Sequence, residues 1–145
     1  MMRQLRISFI IGLLLASCSK DEPGIVTFPE DYPHKWQLVS AQTGLSNTSV
    51  SGNQLPYFEE YVFNGDNTFT KTRVLDDNSI VATGSFSVER NNDSVFLTLS
   101  FDDESVIIDN CSNDLAERLL LTSIKTFSNN ILACDYGRMD YSRVD

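Results

Sequence analysis

Three cysteines, a single histidine and 20 acidic side chains are the residues of this 145-residue chain that could do chemistry. His34 stands beside Pro33 at the start of the patterned region, where a lone imidazole is expected at the surface. No serine or cysteine has an evident base partner, so nucleophilic catalysis has no visible machinery. Glu59 and Glu60 are adjacent; in a strand they face opposite sides and cannot work together as a carboxylate pair. Asp76-Asp77 and Asp102-Asp103-Glu104 fall at turns. Calcium takes oxygen ligands, but the helix–loop–helix spacing that would hold it is absent, and solvated turns are the expectation. Neither a glycine-rich phosphate loop nor a metal-spaced Cys/His set occurs. The expectation is a protein that is not an enzyme and uses no metal or cofactor.

Cys18 carries a different chemistry. Arg3 and Arg6 precede an apolar core from Ile7 to Ala16, and small residues lead to the cysteine, as in a secretory leader. A membrane-spanning helix needs about 20 apolar residues, whereas polar Ser19-Lys20-Asp21-Glu22 follows at once. Leu15-Ala16-Ser17-Cys18 resembles the lipobox of bacterial lipoproteins. The resemblance implies cleavage before Cys18, a diacylglycerol thioether on its sulfur and an N-acyl chain. Each buried methylene contributes about 0.8 kcal/mol, and one chain binds only reversibly; three chains make release negligibly slow. Cys18-Ser19-Lys20-Asp21-Glu22 is similar to the export signal of Bacteroidetes lipoproteins, with Lys20, Asp21 and Glu22 directing the protein to the outer face of the outer membrane. A periplasm-facing lipoprotein with a charged linker is the alternative. With Cys18 committed to lipid, Cys111 and Cys134 remain in an oxidising compartment, and a disulfide between them is expected. The bridge would stabilise by about 3 kcal/mol on the chain-entropy model; two separate buried thiols are the other possibility.

Composition narrows the partners. The chain holds 11 basic and 20 acidic residues; loss of the leader removes Arg3 and Arg6 and leaves 9 against 20, a net charge of −11. Such a surface repels nucleic acid and anionic membranes, so the membrane is met through the lipid alone. The length after the leader suits one domain with a real core.

Residues 18–33 read as a tether, with Pro23, Pro29 and Pro33, four acids, and Ile25-Val26-Thr27-Phe28 as an apolar island that could pack on the domain edge. From residue 34 to 145 the pattern changes to short alternating runs divided by Asn, Asp and Gly clusters, which tolerate positive φ and favour tight hairpins. Val95, Leu97, Leu99 and Phe101 share one face, opposite Ser94, Thr98 and Ser100. Strands are expected over 35–43, 57–64, 68–75, 79–89, 94–101, 104–109, 117–125, 130–134 and 138–144, with one helical turn conceivable after Asp114. Strands divided by turns every 8–12 residues favour a sandwich or barrel. Consecutive hairpins select an all-β, small antiparallel up-and-down barrel of about eight or nine strands, whose closure removes exposed edges. The long polar stretch from Gly44 to Pro56 could cover a barrel mouth.

Trp36-Gln37-Leu38-Val39-Ser40, Tyr61-Val62-Phe63-Asn64-Gly65-Asp66-Asn67-Thr68-Phe69-Thr70, Gly84-Ser85-Phe86-Ser87-Val88 and the closing Tyr141-Ser142-Arg143-Val144 resemble, in order and spacing, the small lipocalin-like domains of Bacteroidetes lipoproteins. Asn67 stands where that family more often has glycine, a place asparagine tolerates at positive φ. The resemblance implies a lipocalin-like barrel and carries no catalytic residue. Trp36, Leu38, Tyr61, Phe63, Phe86, Leu97, Leu99 and Tyr141 are the candidate interior. Either they fill it as core, or they line a cavity for a small apolar or amphipathic molecule. With a filled core, the protein becomes a surface module for a protein or glycan partner. Asp93-Ser94-Val95 resembles the Bacteroidetes O-glycosylation acceptor, at Ser94.

Overall fold

A computed structural model of the chain describes residues 26–42, 48–130 and 137–144. Strands β1 (His34–Gln42), β2 (Ser49–Ser51), β3 (Phe58–Phe63), β4 (Thr68–Leu75), β5 (Asn78–Asn91), β6 (Ser94–Phe101), β7 (Ala116–Ser123), β8 (Thr126–Asn130) and β9 (Arg138–Val144) form one antiparallel sheet. β1 pairs with both β3 and β9, so eight strands close into a barrel, and the short β2 adds to the end of β1. Alternation drives this: on β3, β6 and β7 every second residue is buried, and on β4 and β9 the same period holds over the first half of the strand. On β1 the phase changes at Val39, where the register with β9 slips between Leu38 and Ser40. That bulge lets Leu38 and Ala41 both point inward.

The hairpins use the expected backbone chemistry. Asn67, Asp76 and Asn92 take φ of 64°, 54° and 51°. Asp66 accepts from the backbone N–H of Thr68 at 3.1 Å and its hydroxyl at 2.6 Å, fixing the β3–β4 turn. β5 is the corner strand, pairing with β4 through its first half and β6 through its second. Gly84 sits at the change of partner, where a Cβ would lie 2.0 Å from the Ser100 carbonyl oxygen, so no other residue fits without moving backbone.

Three sequence expectations are corrected. Residues 104–109 are not a strand but part of the connection between β6 and β7, with Ile107 fully buried and Val106 exposed; the polar contacts of Asp109 and Asn110 hold that stretch across the barrel end. The residues after Asp114 form no helical turn; β7 begins directly at Ala116. The eighth strand is Thr126–Asn130 rather than 130–134, of which 131–134 lie outside the described residues. Ser128-Asn129-Asn130 had the composition of a turn, yet Ser128 and Asn129 are buried in β8. The actual turn uses Ser123 to Thr126, closed by hydroxyl contacts among Thr122, Ser123 and Thr126.

Candidate functional site

All eight candidate interior residues are buried, with Trp36, Tyr61, Phe63, Leu97, Leu99 and Tyr141 fully so. Rings of Trp36, Tyr61, Phe63, Phe127 and Tyr141 contact one another across the barrel at centroid distances of 4.9–6.3 Å. The centre of the barrel is therefore packed, and the two ends decide what the molecule offers.

One end, which takes the β3–β4, β5–β6 and β7–β8 hairpins, is sealed by the Val26–Pro33 arm. Phe28 inserts there, 7% exposed, against the rings of Tyr32, His34, Trp36, Phe63 and Phe86. Packing on the barrel thus begins before residue 34, within the stretch that composition alone marks as tether. His34, expected at the surface, is 2% exposed. Its Nδ1 accepts from the Trp36 indole N–H at 2.7 Å, which leaves Nε2 as donor toward the Pro29 carbonyl at 3.3 Å. Burial lowers its proton affinity below the usual histidine range, aided by Arg143 and opposed by the Pro29 contact.

The other end is sealed by charge. Glu59 and Tyr61 on β3, Lys71 and Arg73 on β4, Glu117 on β7 and Tyr141 on β9 point inward at the phase of the apolar residues. Asp109 joins them from the connection between β6 and β7. The Lys71 ammonium donates to Asp109 at 2.7 Å and Glu117 at 2.8 Å and lies 3.6 Å from Glu59. Arg73 donates to Glu59, and to Asp109 at 2.6 Å. Tyr61 donates to Glu117 at 2.6 Å, Tyr141 to Glu59 at 2.5 Å, and the Asp109 backbone N–H to Glu117 at 2.6 Å. Two cations thus face three carboxylates, and every carboxylate is hydrogen-bonded.

Burial raises both tyrosines well above the usual phenol range, and the adjacent carboxylates add to this, so each remains a donor. For Lys71, burial works against the charge, but Glu117, Glu59 and Asp109 outweigh it and raise the value. Glu117 is raised by burial, against the pull of Lys71. Convergent titratable groups are the usual mark of an active site, yet Glu59, Lys71 and Glu117 are at most 3% exposed. What the arrangement does in this state is hold the 102–115 connection down: Asp109 is clasped by the two cations, Ile107 two residues before it is fully buried, and Asn110 bonds the carbonyls of Asp114 and Ala116. Two grooves flank that connection. One of about 370 Å³ has Glu104, Asn110, Ser112 and Asn113 on its walls, and one of about 270 Å³ touches Asp109, Glu117 and Asn129.

The sequence signal for this network was a break in polarity at constant period: Glu59 two residues before Tyr61, Lys71 two after Phe69, Glu117 two before Leu119. Glu59 and Glu60 do face opposite sides, Glu59 inside and Glu60 toward Gln37 and Lys35. The partner Glu59 has, however, is not its neighbour but a set of residues on other strands. Among the described residues no His, Cys, Asp or Glu set is arranged to hold a metal ion. Cys18, Lys20, Asp21, Glu22 and Cys134 lie outside the described residues; Cys111 lies in the 102–115 connection and Ser94 opens β6, partly exposed.

No protein-family model, no curated protein and no solved structure matches the chain.

Proposed function

We propose that the protein is a lipid-anchored, non-enzymatic recognition module of the bacterial outer membrane, displayed on the cell surface, that meets a glycan or protein through the barrel end farthest from its anchor. The observation that carries this reading is the polarity of the barrel. The arm enters at one end, with the Val26 carbonyl accepting from Arg90 at 3.2 Å. Eight residue steps separate Cys18 from Val26, a reach of at most ~29 Å, so that end faces the membrane. The connections after β1, β4, β6 and β8 all leave from the opposite end. With the centre of the barrel packed, recognition of this partner falls to those connections.

The groove with Glu104, Ser105, Asn110, Ser112, Asn113 and Asp114 offers carboxylate, amide and hydroxyl groups, beside Ile108 and Leu115. Acceptors and donors over a small apolar floor suit a hydroxyl-rich ligand, which favours a glycan. A disulfide between Cys111 and Cys134 would staple two of these connections together; Cys111 is not a residue without partners. The lipocalin-like kinship and an O-glycan on Ser94 belong to the same proposal.

The test is binding by the lipidated protein in nanodiscs to a glycan array, with Ser112→Arg and Asn113→Arg at the far end and Lys125→Ala at the near end. Far-end substitutions should abolish the signal and the near-end one should leave it. The opposite pattern sinks the orientation. Cys18→Ala should move the protein from the membrane to the soluble fraction, and protease treatment of intact cells should remove the wild-type domain.

A further inference from the structure

Phe28 and Asp31 sit on an arm that makes no strand pairing, yet both occupy places made by the barrel. Phe28 fills a mouth of four barrel rings, with His34 and, edge-on at 5.4 and 5.8 Å, Phe63 and Phe86 around it and Trp36 stacked at 5.9 Å. Asp31 places its carboxylate 2.5 Å from the Arg143 guanidinium, while remaining 69% exposed on its other sides. The arm is also held by Tyr32, stacked on His34 at 4.8 Å, and by the contacts of Val26 with Arg90 and of Pro29 with His34. It is also undercut: a groove of about 320 Å³ runs between Thr27, Pro29 and Asp31 on one side and Ile124, Lys125 and Arg143 on the other.

We propose that the Val26–Pro33 arm is a built-in pseudo-ligand, and that the mouth beneath it is a binding site for an amphipathic molecule carrying an apolar ring and an anionic group. The ring takes the place of Phe28 among Trp36, Phe63 and Phe86; the anion takes the place of Asp31 on Arg143, beside Lys125. Apolar sites vacated by a side chain stay dry and accept ring compounds of matching size, and edge-to-face aromatic contacts add to the area term. The ligand enters through the groove, and the arm lifts as it does. Because this end faces away from the proposed glycan site, the two readings stand or fall separately.

The experiment uses the mature chain carrying Cys18→Ala and the probe 8-anilinonaphthalene-1-sulfonate. Trp36, the only tryptophan, reports arrival by energy transfer to the probe. The wild-type arm should allow weak, saturable transfer. Phe28→Ala removes the competing ring and should bind on the order of 100-fold more tightly; Asp31→Ala, an exposed change that leaves the core intact, should bind several-fold more tightly. Arg143→Gln in the Phe28→Ala background should reverse most of that gain. Saturating probe should speed cleavage of the wild-type arm after Glu30 by a glutamate-specific protease. The proposal is overturned if Phe28→Ala unfolds cooperatively yet binds no more tightly. It is equally overturned if the wild type binds with cleavage after Glu30 unchanged. Should Phe28→Ala fail to fold, Asp31→Ala binding no better than wild type overturns it alone.

Discussion

The two ends of this barrel solve one problem by opposite means. Each must cover an opening that closure of the sheet leaves behind. The arm end does it with Phe28 among rings; the far end adds to the buried Ile107 a charged seal, Asp109 between Lys71 and Arg73. Apolar contacts are non-directional, so a ring can be withdrawn or exchanged at a cost proportional to area. An ionic network is unforgiving, because removing one member leaves the others charged and buried. In the proposed reading the arm end is therefore the end that opens, and the far end the fixed platform for its connections.

The largest expected effect is at the far end. Lys71→Met should cost about 3–5 kcal/mol in urea unfolding, since it leaves three carboxylates with one cation. Adding Glu117→Gln should recover part of that loss, with a coupling of at least about 1 kcal/mol; strict additivity would show that the network is not one unit. Phe28→Ala should cost about 3 kcal/mol, the lower part of the range for a buried ring, because the arm can relax into the space. A loss larger than that of Lys71→Met would reverse the comparison.

Acid should act on the two ends with opposite sign. His34 binds a proton less readily folded than unfolded, so its contribution is present above about 6.5 and lost as pH falls through its lowered folded value. Glu117 binds a proton more readily folded, so its contribution is present below 4.5 and lost as pH rises through its raised folded value. Melting temperatures from pH 4 to 7.5 should therefore fall less steeply in acid for His34→Gln than for wild type. Glu117→Gln should gain on wild type as pH rises. Parallel curves for all three proteins would remove both groups as the cause. The smallest effect belongs to Asp31→Asn, whose exposed ion pair should leave the melting temperature unchanged while speeding proteolytic cleavage of the arm after Glu30.

Much of the fold was legible because β structure writes itself at short range. Val95, Leu97, Leu99 and Phe101 alternate with polar residues, and Asn67, Asp76 and Asn92 mark the turns they occupy. Legibility failed where side chains overruled composition. Val106-Ile107-Ile108 has the look of a strand but lies across the barrel end, because Asp109 beside it is bound by residues on β4. Ser128-Asn129-Asn130 has the look of a turn but lies in β8, where the Asn129 amide reaches the Asp109 carbonyl. His34 has the look of a surface residue until Phe28 and Tyr32 cover it.

The sequence by itself determined the acidic charge, the strand period and the tight turns at Asn67, Asp76 and Asn92. These depend on residues within a few positions of one another. The closure of β1 on β9 bears out the expected barrel, but only the tertiary structure decided that Phe28 returns to plug a mouth, and that Lys71 meets Glu117 46 residues away and Tyr141 meets Glu59 82 residues away. Those contacts follow from strand order and register around a closed barrel, and a local pattern holds no record of which distant strand a charged side chain will face.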